Sequence, residues 1–213
     1  IWGGMSNAGQ TCTSVEPIFI QNSIKDQFIS ELKKKIKTIR TGPNENDDIG
    51  AITVDNSMKK IISQIEEVKD SSDIITGTIS DNSGWFIPPT IVIEPPLDSK
   101  IMTQETFGPV ISINGFDTEE EMLDKVNSNG GFGLSASIFS TNKKRARNIA
   151  RYLRTGSVNI NDVLSHYGVA DLPFGGVGKS GIGRVHGSEG LRAFSRTKSI
   201  LENRISLKLI SGS

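Results

Sequence analysis

The sequence contains few of the residues that disulfide-rich and metal-binding proteins depend on. Its 213 residues include one cysteine and two histidines. One cysteine excludes a disulfide within the chain and a cysteine-rich zinc site, and His166 and His186 make a poor ligand set. We therefore expect no metal site, and we expect a reducing compartment such as the cytoplasm.

Two further absences limit the partners. No apolar run approaches the ~20 residues that a membrane-spanning helix needs. Lys plus Arg and Asp plus Glu number 24 each, so no net charge favours nucleic acid or an anionic membrane. Hydrophobic residues make up 35% and charged residues 23%, which is typical of a globular protein. We expect one sizeable domain that binds no nucleic acid and does not span a membrane.

The order of hydrophobic patterns predicts an α/β fold. Apolar, β-branched runs predict strands at residues 16–20, 74–79, 90–94, 110–116, 134–139 and 157–161. Helical periodicity predicts helices at residues 22–39, 58–68, 118–127 and 143–154. Strands and helices alternate between residues 110 and 161, as in right-handed crossovers of a parallel sheet. We expect a mostly parallel twisted sheet flanked by helices.

Local signals refine the ends of these elements. Asn22 or Ser23 is expected to cap the first long helix, and Thr118 with Glu121 forms the pattern of a capping box. Beyond residue 200 the chain ends in a segment, Ile205–Ile210, that alternates apolar and polar residues like an edge strand. We assign residues 1–200 to one domain and residues 201–213 to a tail whose strand pairs in an oligomer.

A glycine-rich segment, residues 173–183, contains Gly-Lys-Ser and suggests a phosphate-binding loop. The Walker spacing requires glycine at the position of Pro173, which has no N–H to offer to a phosphate. A Gly-x-Gly-x-x-Gly pattern starts at Gly176, but no strand precedes it as a dinucleotide fold would require. We interpret these glycines as positions that permit a tight backbone path with positive φ.

Cys12 lies in the segment Asn-Ala-Gly-Gln-Thr-Cys-Thr, directly before the first predicted strand. A lone cysteine is more often a small buried hydrophobic residue than a nucleophile. The small and polar neighbours favour the second role here, because they leave the thiol accessible and N–H groups free to stabilise an oxyanion. Cys12 is therefore the candidate nucleophile.

This segment resembles the nucleophile motif of the NAD(P)-dependent aldehyde dehydrogenase superfamily. Three further blocks resemble motifs of that family, in its order and at about its spacing. They are Gln104–Val110 (Glu-x-Phe-Gly-Pro), Gly156–Asn161 (Gly-x-Val-x-x-Asn) and residues 172–184 (Pro-Phe-Gly-Gly followed by Ser-Gly-x-Gly-Arg). The resemblance covers nearly the whole chain and implies the family's catalytic domain.

The resemblance implies roles for individual residues. Cys12 would attack an aldehyde to form a thiohemiacetal, and loss of hydride to NAD or NADP would leave a thioester that water hydrolyses. Glu105 would bind the hydroxyls of the nicotinamide ribose, and Phe107 would pack beside it. Asn161, His166 and Tyr167 would line the substrate site, with Asn161 orienting a loop. Arg184 is expected to be a structural or interface charge and not a catalyst. The family also implies a homo-oligomer, either a dimer or a tetramer.

The family's general base belongs to a Glu-Leu-Gly-Gly-like segment that this sequence does not contain, and its dinucleotide-binding domain is also missing. We therefore interpret the chain as a fragment and expect it to be inactive alone. Two alternatives stay open. The enzyme could belong to the branch in which CoA releases the acyl group, or the chain could be a non-catalytic assembly module with an unreactive Cys12.

Overall fold

A computed structural model describes residues 1–80 and 84–204 of the chain. Helices and strands alternate along most of this length. The helices are α1 (Trp2–Met5), α2 (Asn22–Ile36), α3 (Asp55–Val68), α4 (Lys100–Thr103), α5 (Glu119–Ser128), α6 (Lys143–Ala150) and α7 (Gly187–Ala193). The strands are β1 (Pro17–Gln21), β2 (Arg40–Thr41), β3 (Asp73–Thr76), β4 (Thr78–Ile79), β5 (Thr90–Ile93), β6 (Val110–Phe116), β7 (Phe132–Gly133), β8 (Ser135–Ile138), β9 (Ser157–Ile160) and β10 (Val177–Gly178).

The largest sheet has four strands in the order β1-β6-β5-β3. Strands β1, β6 and β5 pair in parallel, and β3 joins the edge in the antiparallel direction. Strand β6 has the predicted bounds and is buried along most of its length, as expected for the centre of a parallel sheet. The predicted α/β class, with a mostly parallel sheet and flanking helices, is confirmed.

The predicted continuous sheet between residues 110 and 161 is wrong in one respect. Strands β8 and β9 pair in parallel with each other, with α6 between them in sequence, but they form a two-stranded sheet separate from β6. The predicted strand at residues 74–79 also divides into β3 and β4. It breaks at Gly77, whose N–H donates to Pro89 and whose position leaves no room for a side chain.

The helix ends follow the predictions only partly. The capping box is present: Thr118 Oγ1 accepts from the Glu121 N–H at 3.2 Å, and the Glu121 carboxylate accepts from the Asp117 N–H at 2.8 Å. Helix α2 has no such cap. The Asn22 side chain instead donates to the Asp117 carboxylate at 2.9 Å, so it connects the starts of two helices.

Helix α2 turns only part of its apolar side chains towards the core. Ile29, Leu32 and Ile36 are buried, whereas Ile24 and Phe28 are 53% and 36% exposed. The helix ends at Ile36, before the predicted end at residue 39, because the chain turns there into the short strand β2.

The hydrophobic core lies against the four-stranded sheet. Its buried residues extend along the chain from Met5 to Ile113. The predicted tail strand, Ile205–Ile210, lies outside the described residues. No helix within residues 1–80 and 84–204 combines the length and hydropathy that crossing a bilayer requires.

The glycine-rich segment adopts the tight path expected of it. Gly178, Gly181 and Gly183 have φ values of 60°, 101° and 87°. Strand β10 pairs antiparallel with β7, and the Arg184 guanidinium donates to the carbonyls of Gly176 and Gly183. These contacts hold the segment to its own chain, and they give Arg184 the structural role expected of it.

Candidate active site

The loop that carries Cys12 has an unusual backbone. Asn7, Ala8 and Gly9 are consecutive residues with φ values of 54°, 56° and 70°. A left-handed conformation costs a residue with a side chain roughly 1–2 kcal/mol, so two such residues in succession need outside support. Strain of this kind persists where surrounding contacts hold it, and it is often found at functional sites.

Gln10 provides part of that support. Its amide nitrogen donates to the carbonyl of Ala51 at 3.2 Å, and its amide oxygen accepts from the N–H and hydroxyl of Thr53 at 2.9 and 3.0 Å. The Asn7 amide also donates to the Gln10 carbonyl at 3.0 Å. The residue two positions before the cysteine therefore fixes the loop to a distant segment of the chain.

Cys12 itself is exposed, in a turn between this loop and β1. Among the described residues, no oxygen accepts a hydrogen bond from its main-chain N–H, while the N–H groups of Thr11 and Ser14 are both used within the loop. The turn thus presents a thiol and a free N–H donor from the same residue.

Two contacts join the Cys12 loop to the loop that contains Glu105 and Phe107. The first is at Gly9, where an added methyl group would lie 2.0 Å from the carbonyl oxygen of Gly108. Only glycine allows this approach of the two backbones. The Cys12 loop therefore packs directly on the segment that follows Phe107.

The second contact is made by Glu16, which follows Cys12 closely and precedes β1. Its two carboxylate oxygens accept from the main-chain N–H groups of Thr106 and Phe107, both at 2.8 Å. Burial raises the pKa of the Glu16 carboxyl above its ordinary value, and the two N–H donors act in the opposite direction. Glu16 is not among the site residues that the sequence predicted; the signal available there was a lone carboxylate between Val15 and Pro17 at the start of an apolar strand.

The residues predicted to bind a cofactor have environments that suit this role. Glu105 is exposed, so its carboxylate is free to accept hydrogen bonds from ligand hydroxyls. Phe107 is half-buried and has a φ of 56°, so a left-handed backbone conformation sets the direction in which its side chain leaves the loop. An exposed carboxylate two positions before a half-buried aromatic residue suits the ribose hydroxyls and the ring of a nicotinamide riboside.

Asn161 lies at the end of β9 with a φ of 58°. Its side-chain oxygen accepts from the Ser140 N–H at 2.8 Å, and its side-chain nitrogen donates to the Ser140 carbonyl at 2.9 Å. Both polar atoms of the amide are therefore used to hold the loop after β8. This arrangement suits the loop-orienting role better than direct contact with a substrate.

His166 and Tyr167 differ in accessibility. Tyr167 is 57% exposed, whereas His166 is only 5% exposed, so the His166 side chain is not open to a substrate in the way its predicted place in the substrate site requires. The Asn159 amide lies 2.9 Å from His166 Nδ1, and burial lowers the pKa of the imidazole. The imidazole is thus buried beside Asn159 of β9, and this burial favours its neutral form.

Four rings cluster around this position. Phe174 lies 5.6 Å from His166 and 5.0 Å from Tyr167, measured between ring centroids, and Tyr167 lies 5.3 Å from His186. The cluster joins the segment after β9 to the glycine-rich segment. In the part of the chain that the structure describes, no three His, Cys, Asp or Glu side chains are grouped as metal ligands.

Comparison with known proteins decides the family. The model of the aldehyde dehydrogenase family matches residues 1–200. The chain belongs to the aldehyde dehydrogenase family. The match to the family model therefore includes the Cys12 loop, the loop with Glu105 and Phe107, and the cluster of four rings.

Individual aldehyde dehydrogenases are similar over most of this chain. A 4,4'-diapolycopene aldehyde oxidase from Methylomonas sp is 33% identical over 96% of the chain and 38% of its own length. A dimeric NADP-preferring aldehyde dehydrogenase from Rattus norvegicus is 33% identical over 94% of the chain and 43% of its own length. The chain thus spans about two fifths of the length of the curated relatives it matches.

Solved structures show the same similarity in three dimensions. A betaine aldehyde dehydrogenase from Staphylococcus aureus, solved with NAD+ and a BME-modified cysteine, has a TM-score of 0.90 and 33% identity. The match covers 99% of this chain and 44% of that one. An aldehyde dehydrogenase from Bacillus cereus has a TM-score of 0.85 and 28% identity over 93% of this chain and 41% of its own. The predicted membership of the aldehyde dehydrogenase superfamily is confirmed.

Proposed function

We propose that the protein carrying this chain oxidises an aldehyde to a carboxylic acid with NAD+ or NADP+, and that Cys12 is its nucleophile. One observation supports this most strongly. The exposed Cys12 lies on a loop that contacts the Glu105–Phe107 loop twice, at Gly9 and through Glu16. The reacting sulfur and the residues suited to the nicotinamide end of a cofactor therefore belong to one connected unit.

The chemistry begins at Cys12. Its thiolate attacks the aldehyde carbon, a C–S bond forms, and the carbonyl electron pair moves to oxygen. The Cys12 N–H, which has no acceptor among the described residues, is placed to donate to that oxygen. A bound NAD(P)+ supplies an acceptor for the hydride that leaves the former carbonyl carbon. Water then cleaves the resulting thioester of Cys12, which releases the acid and restores the thiol.

Other residues position the reactants. With a nicotinamide nucleotide bound, the Glu105 carboxylate would accept hydrogen bonds from ribose hydroxyls, and Phe107 would pack beside the same ribose. Asn161 acts through Ser140 by orienting the loop after β8, and Tyr167 presents its exposed ring to the substrate. The buried His166 ring helps to hold Tyr167 in place, because both rings pack on Phe174.

Relatives extend the proposal to the cofactor and the assembly. One relative is named NADP-preferring and dimeric, and a similar structure was solved with NAD+. We propose either nucleotide as the cofactor and a homo-oligomer, a dimer or a tetramer, as the working form. The free thiol that the reaction needs favours a reducing compartment such as the cytoplasm.

Acylation by an activated ester tests the nucleophile without the cofactor. p-Nitrophenyl acetate should release one p-nitrophenolate per chain in a rapid phase and leave an acetyl group on Cys12. The variant Cys12→Ser should lose that phase, and Ser6→Ala provides a control, since the Ser6 hydroxyl donates only to the carbonyl of Trp2 in α1. An unchanged burst in Cys12→Ser would contradict the proposal.

Formation of NAD(P)H with aldehydes tests the whole reaction in the protein that carries this chain. Turnover that requires Cys12 supports dehydrogenase function. Turnover that appears only after CoA is added would instead identify the CoA-acylating reaction. A protein with an unreactive thiol and no turnover would support the assembly module.

A further inference from the structure

The Glu16 side chain makes hydrogen bonds that its position just before β1 does not require. Its side chain leaves the start of β1 and accepts from two successive main-chain N–H groups, those of Thr106 and Phe107. Successive N–H groups beside a left-handed residue form a concave anion site, and Phe107 is such a residue. The anion bound at this site is the carboxylate of Glu16 itself.

The groups around the Glu16 carboxylate show that it is held by hydrogen bonds more than by a counter-ion. Burial and the charge of Glu105 raise its pKa, whereas the two N–H donors and the charge of Lys60 lower it. No Lys or Arg among the described residues forms an ion pair with it within 4.0 Å. The two N–H groups therefore provide the main compensation for burying this charge.

The main chain of Glu16 is fixed as well. Its carbonyl accepts from the Ser112 N–H at 2.9 Å, which starts the pairing of β1 with β6. Glu16 thus attaches to β6 through its backbone and to the Thr106–Phe107 segment through its side chain. Cys12 lies a few residues upstream, so Glu16 is the shared anchor of the nucleophile loop and the Glu105–Phe107 loop.

We propose that Glu16 is a positioning residue, which holds the Thr106–Phe107 backbone so that Glu105 and Phe107 meet the nicotinamide riboside half of the cofactor next to Cys12. This inference rests on the proposed function. It adds a residue that touches neither substrate nor cofactor and acts only through the loop. Its removal should affect cofactor binding more than the intrinsic reactivity of Cys12.

The test compares three variants of the protein that carries this chain. Glu16→Gln keeps the shape but turns an amide NH2 towards an N–H donor, so one hydrogen bond is lost and two donors oppose each other. Glu16→Asp keeps the charge on a shorter side chain. Glu31→Gln makes the same chemical change at an exposed carboxylate on α2, whose partner is Lys34, and serves as the matched control.

The first readout is amide hydrogen exchange, which requires no cofactor. In Glu16→Gln the Thr106 and Phe107 amides should exchange about tenfold faster or more, because a hydrogen bond to a charged acceptor is lost. Amides of β5 and β6 should keep their wild-type rates. Glu16→Asp should lie between the two, and Glu31→Gln should match wild type.

The second readout separates the steps of the reaction. In Glu16→Gln the KM for NAD(P)+ should rise about tenfold, while acylation of Cys12 by p-nitrophenyl acetate stays within about twofold of wild type. Partial recovery of the KM in Glu16→Asp would support the same conclusion.

Two results would overturn the inference. Unchanged exchange at Thr106 and Phe107 in Glu16→Gln would show that the carboxylate does not hold the loop. Faster exchange throughout β5 and β6, together with an equal loss of Cys12 acylation, would show that Glu16 only stabilises the fold. Absence of NAD(P)+-dependent turnover in wild type would instead refute the proposed function, and the exchange comparison would still decide the role of Glu16 in the loop.

Discussion

Residues 1–116 and residues 117–204 differ in how they hold their site residues. In the first region a continuous buried cluster packs on the four-stranded sheet, and Cys12, Glu105 and Phe107 lie on loops at this sheet. In the second region, Ala146 and Ile149 are the buried hydrophobic residues among those described, and the sheets have two strands each. Side-chain hydrogen bonds and a cluster of rings hold Asn161, His166 and Tyr167 instead.

The difference shows which site loops are held in position by the core and which depend on a few polar contacts. A loop on a buried parallel sheet keeps its position because moving it would disturb many packed side chains. A loop held by an amide pair and ring contacts has fewer constraints and opens at lower free-energy cost. The proposed nucleophile Cys12 therefore lies in the first region, and the residues proposed to line the substrate site lie in the second.

The largest expected effect is at the nucleophile in the first region. Cys12→Ser should lower aldehyde oxidation by at least about a thousandfold, equivalent to about 4 kcal/mol, because a serine hydroxyl with no paired base is a far weaker nucleophile. Steady-state NAD(P)H formation measures it. Tyr167→Phe, a change in the second region, should alter the KM for the aldehyde far more than it alters this rate. A Cys12→Ser enzyme with near-normal turnover would contradict the proposed chemistry.

Matched core substitutions test the packing difference directly. Ile113→Ala in β6 should destabilise the protein by about 3 kcal/mol, since it leaves a cavity in the sheet core. Ile149→Ala in α6 should cost about 2 kcal/mol or less, because its surroundings are less enclosed. Urea unfolding measures both, and Ile182→Ala, at a fully exposed position, should have almost no effect. Equal losses for Ile113 and Ile149 would remove the contrast between the regions.

Gly9→Ala tests the contact between the two loops of the first region. The new methyl group would meet the Gly108 carbonyl oxygen, and the residue would keep a left-handed backbone only with strain. Acylation of Cys12 should slow by about tenfold or more, because small displacements of reacting groups are costly. Stopped-flow detection of p-nitrophenolate measures the rate.

The matched control is Gly50→Ala, where a methyl group would meet no atom within 4 Å. It should react at the wild-type rate. If Gly9→Ala also reacts at that rate, the backbone contact at Gly108 does not position the nucleophile.

The smallest expected effect concerns the free energy of unfolding, whose dependence on pH should have opposite signs for the contributions of Glu16 and His166. The Glu16 pKa is raised, so its native state holds the proton more tightly, and stability falls as pH rises from the ordinary carboxyl pKa through the raised value. The His166 pKa is lowered, so stability falls instead as pH drops from the ordinary histidine pKa towards the lowered value. Urea unfolding of wild type, Glu16→Gln and His166→Gln across this acidic range measures both.

Each variant should lose only the dependence of unfolding free energy on pH that its own residue contributes. Glu16→Gln should remove the fall in stability with rising pH, and His166→Gln should remove the fall with dropping pH. Slopes of the same sign at the two sites would show that burial does not control the ionisation of both groups.

The sequence predicted features that depend on neighbours along the chain. The bounds of β6 followed from a run of apolar residues, and the capping box at Thr118 followed from the Glu three positions later. The motif around Cys12 correctly indicated an exposed thiol. Each of these is encoded within a few residues, where periodicity and side-chain type are sufficient.

Features that depend on distant segments were not predictable in this way. The Glu16 carboxylate binds a loop about ninety positions away, and Gly9 packs on Gly108 across a similar interval. The burial of His166 and the separation of β8 and β9 from β6 likewise depend on tertiary packing. No local pattern distinguishes a carboxylate that holds a backbone from one that faces solvent.

Rapid alkylation of native Cys12 by iodoacetamide, located by peptide mapping, tests the central claim most directly. We expect one modification per chain, at Cys12, formed under native conditions at least as fast as in the urea-unfolded chain, and loss of aldehyde oxidation in proportion. A thiol that reacts only after unfolding, or a fully modified protein that still oxidises aldehydes, would contradict the assignment of Cys12 as an accessible nucleophile.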